Sequence, residues 1–300
     1  MDCIKIVQPD PSVPFGLPTL DVSGVKRKFL DLSYAGTDNA NQTLDLYLPD
    51  EGDGPFPLII FLHGGAFLGG DKRDFQAAYY MNGIRRGYAV ASLNHRFSYE
   101  SRFPGSVCDV KAAVRFLRGN AERFCLDKKR FAASGASAGA YFAAMLGCTA
   151  GIPAFEDLSM GYPEEDSSVQ AVIGLFGVYD LTACSAFTEA APPLPSGNRM
   201  PNFADMFVGI NCREHPELAA LTWPGSYVTK ACPPTLIEGG TADEVVPFEA
   251  SGALVDKINA VCGDGRAALQ VMEGCNHGHP DYGSPENEAR LFAFLDSVLK

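Results

Sequence analysis

Residues 43–48, Thr43-Leu44-Asp45-Leu46-Tyr47-Leu48, alternate polar and apolar side chains, the two-residue period of a strand with one face exposed. Turn-forming residues fill the stretch from Pro49 to Pro57. Leu58-Ile59-Ile60-Phe61-Leu62 then runs without a polar position, as expected of a strand buried on both faces of a parallel sheet. A second such run, Tyr88 to Leu93, follows a helix-like stretch from Phe75 to Arg86. Ser106-Val107-Cys108-Asp109 reads as a capping box, with Ser106 at the N-cap and Asp109 reaching back. Behind it Val107, Val110, Val114, Leu117 and Ala121 recur at helical spacing, so one face of that helix points inward. Strands are expected at Arg130–Ser134, Val169–Phe176, Pro234–Glu238 and Ala268–Met272. Helices are expected at Ala138–Cys148, Pro247–Val261 (proline at its first position) and Glu286–Leu299.

Strands alternating with helices imply right-handed crossovers and an α/β fold, with a mostly parallel central sheet flanked by helices. Two stretches break the rhythm. Residues 1–30 carry Pro9, Pro11, Pro14 and Pro18 and are expected to form an irregular N-terminal arm. Residues 181–230 hold Pro192-Pro193-Leu194-Pro195 together with Phe187, Phe203, Phe207, Trp223 and Tyr227. A connection of that length between core elements is expected to be an inserted lid or cap over a site. The whole chain of 300 residues otherwise reads as a single domain.

Composition narrows the partners. Lys plus Arg number 24 against 36 Asp plus Glu, a net charge of −12, which repels phosphate backbones and argues against nucleic acid. The longest purely aliphatic and aromatic run, 58–62, falls far short of the ~20 residues that span a bilayer, so no membrane segment is expected. The start, Met1-Asp2-Cys3-Ile4-Lys5, has no signal-peptide pattern, and a cytoplasmic location is expected. Nine cysteines lie scattered from Cys3 to Cys275 without a C-x-x-C pair, as small buried hydrophobes do in a reducing compartment. His277-x-His279 lacks an evident third ligand, and neither metal nor organic cofactor is expected.

The residues able to do chemistry cluster in a few strings. Gly135-Ala136-Ser137-Ala138-Gly139 matches G-x-S-x-G and sits between the strand ending at Ser134 and the helix starting at Ala138. That strand–turn–helix setting suits a nucleophile elbow, with the two glycines removing side chains that would collide. His63-Gly64-Gly65-Ala66 follows the apolar strand 58–62. Backbone N–H groups at Gly64, Gly65 or Ala66, with that of Ala138, are candidate oxyanion donors. Serine needs a base within hydrogen-bond reach. In hydrolases built on this elbow the chain order is Ser, acid, His, which leaves His277 and His279; His277, beside Gly278, is preferred over His279, which Pro280 confines. Asp243, in the loop after Pro234–Glu238, is the preferred acid, with Asp180 as its rival and Glu244 pointing away. His63 is read as shaping its loop.

Together, His63-Gly64-Gly65-Ala66-Phe67, Gly135-Ala136-Ser137-Ala138-Gly139, Thr241-Ala242-Asp243-Glu244-Val245-Val246-Pro247 and His277-Gly278 resemble the carboxylesterases of the α/β-hydrolase fold. The likeness is to the branch of bacterial acetylxylan and feruloyl esterases and hormone-sensitive-lipase-like esterases. Asp45-Leu46-Tyr47-Leu48-Pro49 and Phe103-Pro104 with Asp109-Val110-Lys111-Ala112-Ala113 also resemble that branch. The likeness runs from about Leu44 to Lys300. His95-Arg96 stands where such esterases often show Tyr-Arg, and residues 181–230 match no familiar lid. The resemblance implies a Ser137–His277–Asp243 triad that hydrolyses small-molecule esters through an acyl-enzyme. Short acyl groups are expected from crowding by Phe67, Phe142 and the insertion, with Trp223 as a further candidate contact. An amide hydrolase using the same triad is the alternative, and a non-catalytic binding module the third reading.

Overall fold

The run 58–62 lies at the middle of the sheet, as a segment without a polar face must. The computed structural model describes residues 4–8, 18–192 and 197–300. Its strands are β1 (Lys5–Val7), β2 (Thr19–Asp21), β3 (Lys28–Ser33), β4 (Thr43–Tyr47), β5 (Phe56–Leu62), β6 (Ala89–Leu93), β7 (Leu126–Ala136), β8 (Ala171–Leu175), β9 (Thr235–Gly240) and β10 (Ala267–Met272). Eight of these form one sheet in the order β10-β9-β8-β7-β5-β6-β4-β3. From β10 to β6 every neighbouring pair is parallel, and β4 and β3 close the far edge antiparallel. The helices are α1 (Ala78–Met81), α2 (Gly105–Gly119), α3 (Ala138–Cys148), α4 (Leu181–Ala190), α5 (Phe203–Val208), α6 (Pro216–Ala219), α7 (Glu249–Cys262) and α8 (Pro285–Leu299).

Alternation along β5 divides the interior in two. Leu58, Ile60 and Leu62 point into a core shared with Val107, Val110 and Val114 of α2 and Tyr141 and Phe142 of α3. Ile59 and Phe61 point the other way, against Tyr80 and Met81 of α1 and Leu291, Phe292 and Leu295 of α8. Helices therefore cover both faces, and the expected architecture holds.

Several local expectations are corrected. The capping box at Ser106 does not form: α2 starts at Gly105 with Pro104 at its N-cap, two residues earlier. Ser106 Oγ donates to the Arg96 carbonyl at 2.7 Å, and Asp109 is a fully buried partner of the Arg96 guanidinium, 2.7 Å away. Long-range pairing has outcompeted the local cap. β4 is not half-exposed, because β3 lies beyond it and Asp45 is fully buried, paired with Arg73 and accepting the Tyr47 hydroxyl at 3.0 Å. The N-terminal arm is not irregular throughout. β1 pairs antiparallel with β2, Leu20, Val22 and Val25 are buried, and β3 begins at Lys28. Pro9, Pro11 and Pro14 lie outside the described residues. Residues 75–86 form α1 flanked by two 3-10 turns instead of one helix, and α7 begins at Glu249, past Pro247.

Residues 181–230, expected to be an inserted lid, carry among the described residues α4, α5, α6 and two 3-10 turns; Pro193, Leu194 and Pro195 fall outside the described residues. Aromatic packing fixes it to the body. Phe207 of α5 stacks on Phe67, with ring centroids 4.1 Å apart, and meets Tyr141 and Phe142 edge-on. The Tyr141 hydroxyl donates to the Thr222 carbonyl at 2.8 Å.

Glu238 is a charged residue inside the sheet. It is fully buried on β9, with Oε2 accepting from Asn287 Nδ2 at 2.7 Å and Oε1 3.8 Å from Arg290. Burial, opposed by Asn287 and Arg290, raises its pKa to about 7. A carboxyl raised in the folded state keeps its proton while the unfolded chain, with a pKa near 4.5, releases it. Stability therefore falls as pH rises between those values, by on the order of 3 kcal/mol. Glu238→Gln keeps the acceptor for Asn287 and removes the ionisation. We expect a higher Tm than wild type at pH 8 and a shallower decline of Tm between pH 4.5 and 7, measured by calorimetry.

Candidate active site

The elbow begins as a packing problem. β7 must turn into α3 within one residue while α3 lies against β5. Ser137 takes φ 54° and ψ −120°, a combination disfavoured for a residue with a Cβ. A Cβ on Gly135 would stand 2.2 Å from the carbonyl of Gly139, and one on Gly139 would stand 1.9 Å from the carbonyl oxygen of Leu62. Neither position admits a side chain. The Ser137 N–H donates to the Leu175 carbonyl at 2.9 Å, so β8 anchors the turn.

Ser137, His277 and Asp243 come from three different loops and meet in a hydrogen-bonded line. His277 Nε2 lies 2.9 Å from Ser137 Oγ, and His277 Nδ1 lies 2.9 Å from Asp243 Oδ2. The other oxygen of Asp243 accepts the N–H groups of Val245 at 2.8 Å and Val246 at 2.9 Å. That ties the carboxylate on one side and leaves Oδ2 for the imidazole. Asp180 is elsewhere in role: it caps α4, accepting the Ala183 N–H at 3.0 Å. His279 turns away and accepts the Asp281 N–H through Nδ1 at 3.3 Å.

The loop after β5 is held open by left-handed backbone at Gly65 (φ 114°), Ala66 (φ 55°) and Phe67 (φ 60°). Ser98 stabilises it, its N–H and hydroxyl both donating to the Phe67 carbonyl, at 2.8 and 3.0 Å. Among the described residues, the N–H groups of Gly65, Ala66 and Ala138 meet no protein acceptor. Gly64 is different: its N–H already donates to Gln76 Oε1 at 2.9 Å. That removes Gly64 from the free donors, although a Cβ there would lie 3.1 Å from the Ser137 Cβ. The Gln76 contact had no signal in the sequence, since a side chain from a distant 3-10 turn supplies it. His63 is fully buried, with Nδ1 2.7 Å from the Gly64 carbonyl and its ring stacked on His95 at 4.8 Å. Burial holds its pKa below the usual value and pushes that of His95 down to about 3. Both rings are therefore neutral spacers.

Phe67 and Phe142 are corrected as substrate contacts. Both are fully buried, 5.5 Å apart edge-to-face, so they back the wall of the site without offering surface to a ligand. Trp223 is half-buried, its indole over Gly225, where a Cβ would come within 2.4 Å of the ring. A residue missed from the sequence is Phe176 (φ 40°), which meets the His277 ring edge-on at 4.9 Å and Tyr282 at 4.6 Å.

The BD-FAE family profile matches residues 44–258. The chain belongs to the BD-FAE family. It is 30% identical to the esterase LipC of Mycobacterium tuberculosis over 246 residues, 80% of this chain and 58% of LipC. It is 26% identical over 242 residues to the Arabidopsis thaliana isoprenylcysteine alpha-carbonyl methylesterase ICME, 80% of this chain and 54% of that protein. The chain thus spans a little over half the length of these relatives. Among solved structures, a truncated carbohydrate esterase from gut microbiota superposes with a TM-score of 0.79 at 26% identity, covering 91% of this chain and 96% of that one. A bifunctional GH43-CE protein of Bacteroides eggerthii gives 0.79 at 27% identity, covering 91% of this chain and 35% of that one. The α/β-hydrolase esterase fold read from the motifs is therefore the fold of this chain. No helix among the described residues is long and apolar enough to cross a membrane.

Gly139→Ala forces a methyl into the Leu62 carbonyl, so it should displace the elbow. We expect at least a tenfold loss of labelling by a fluorophosphonate probe together with a lowered Tm; unchanged labelling would show that the close approach is not required.

Proposed function

We propose that the chain is a serine carboxylesterase that hydrolyses short-chain acyl esters, with acetylated or feruloylated carbohydrates as its substrate class. The observation that carries the reading is the unbroken line Ser137 Oγ–His277 Nε2, His277 Nδ1–Asp243 Oδ2, with both links at 2.9 Å. In this reading Ser137 Oγ attacks the ester carbonyl as His277 takes its proton. Asp243 fixes the imidazole tautomer and stabilises the imidazolium. The N–H groups of Gly65 or Ala66 and of Ala138 hold the tetrahedral oxyanion. His277 returns its proton to the departing alcohol, and water, activated the same way, releases the acid from the acyl-enzyme. No metal or organic cofactor takes part in these steps. The carbohydrate substrate class draws support from the gut carbohydrate esterase and the GH43-CE protein. The compact aromatic packing of Phe67, Phe142 and Phe207 behind the site favours small acyl groups. Residues 181–230 act here as the lid that sets acyl range.

Ser137→Ala should leave the Tm near wild type and lower kcat for p-nitrophenyl acetate by on the order of 10⁴ or more, with His277→Ala equally damaging, because triad members act as a unit. Comparing acetyl, butyryl, octanoyl and feruloyl esters, acetylated xylan fragments and an acetyl anilide identifies the preferred acyl group. Faster turnover of the anilide would overturn the ester reading.

Asp243→Asn should cut kcat strongly while Asp180→Asn leaves it within a few-fold; the reverse would move the acid to the loop after β8. For Trp223→Ala, the ratio of kcat/KM between acetyl and octanoyl esters should shift several-fold if the indole borders the acyl group, at roughly 1 kcal/mol per contacting methylene. An unchanged ratio with a lower Tm would make the tryptophan structural.

A further inference from the structure

The loop that carries His277 holds three ligand-type side chains that the proposed chemistry does not use. Cys275, His279 and Asp281 bring a thiol sulfur, an imidazole nitrogen and a carboxylate oxygen within 4.8 Å of one another. Cys275 Sγ lies 3.9 Å from Asp281 Oδ2, and His279 Nδ1 lies 3.6 Å from Asp281 Oδ1. Ligands of a tetrahedral zinc ion, at their usual bond lengths, stand roughly 3.3–3.6 Å apart. The two contacts to Asp281 are close to that spacing, and small side-chain rotations would close the set around one ion.

We propose that Cys275, His279 and Asp281 form a binding site for a borderline-soft divalent cation of the zinc class. One sulfur, one nitrogen and one oxygen ligand select such an ion over magnesium or calcium, which take oxygen ligands. The sequence conceals the site: its ligands at positions 275, 279 and 281 match no usual zinc spacing, and a 3-10 turn at Pro280–Gly283 swings Asp281 back toward Cys275. The backbone is already held in place. Cys275 N–H donates to the Met272 carbonyl at 3.2 Å, and its own carbonyl accepts the Ala242 N–H at 3.1 Å. Cys275 is buried, His279 half-buried and Asp281 exposed, so an ion would enter from the side of Asp281.

Binding forms a metal–sulfur bond and breaks the S–H bond, the proton passing to solvent, while the cation sheds waters and His279 Nδ1 gives up its contact with the Asp281 N–H. One divalent cation in and one proton out adds a single positive charge to the loop. The residues between Cys275 and His279, 276–278, form an arch closed by the 3.2 Å bond from the His279 N–H to the Asn276 carbonyl, with His277 at its centre. An ion held by Cys275 and His279 pins both ends of the arch that carries His277, so occupancy restrains the movement His277 needs between Ser137 and the departing alcohol and slows hydrolysis. This consequence rests on the triad reading; the site itself does not.

Cobalt(II) is the probe, added to the full chain after chelator treatment. One cobalt per chain should bind with a thiolate-to-metal charge-transfer band. The band should vanish in Cys275→Ser and Cys275→Ala, need at least tenfold more cobalt in His279→Gln, and persist in Ser137→Ala; circular dichroism verifies folding of each variant. Zinc should then lower kcat/KM for p-nitrophenyl acetate several-fold in the wild type, reversibly with EDTA, and leave Cys275→Ser unaffected. A missing band, or one that survives in both Cys275 variants, overturns the site. Equal zinc inhibition of wild type and Cys275→Ser overturns its coupling to His277. An active Ser137→Ala that keeps the cobalt band would instead sink the triad and leave the metal site standing.

Discussion

The close approach of α3 to the end of β5 is the constraint from which the rest of the site follows. Gly139 sits so near the Leu62 and His63 carbonyls, and Gly135 so near Gly139, that neither can carry a side chain. Helix and sheet can approach this far only if the residue between them adopts an unfavourable backbone conformation, and Ser137 is that residue. The strain is maintained because both flanks are over-determined: β7 lies between β5 and β8, and α3 is buried along its whole length. A serine hydroxyl is thereby presented at the N-terminal, positive end of a helix, at the carboxyl edge of a parallel sheet, where the loops of neighbouring strands also emerge.

The other groups of the site use the same edge. Asp243 follows β9 and His277 follows β10, the next two strands outward from β8, so strand order alone sets acid and base on one side of the serine. The Gly65–Phe67 loop follows β5 on the other side. Each is then fixed by its own local bonds: two N–H groups on Asp243, Ser98 on Phe67 and Gln76 on Gly64. Precision comes from these supports, since the strands fix position only to within a loop's reach.

Much of this was legible in the sequence because parallel strands write their burial as unbroken apolar runs. The runs 58–62 and 88–93 stood out for that reason, and the three site side chains were read from the elbow string, the loops after the later strands and the chain order together. What was illegible is long-range and polar. Asp45 looked solvent-facing because nothing in 43–48 announces that β3 and Arg73 cover it. Ser106 and Asp109 looked like a cap because the competing partner, Arg96, comes from another loop. Phe67 and Phe142 looked like pocket walls because an aromatic residue next to a glycine-rich loop carries no mark of which way it faces. Gln76 and Phe176 gave no signal, being ordinary residues made important by their neighbours.

The shared aromatic core of Phe67, Tyr141, Phe142 and Phe207 has a mechanical consequence. The helix that follows the serine and α5 are joined through one aromatic cluster, knit by stacked and edge-on rings. These contacts tie α5 directly to the helix behind the nucleophile, so movement of one must carry the other. Heating should therefore loosen α5 and the helix behind the nucleophile together, in a single cooperative event.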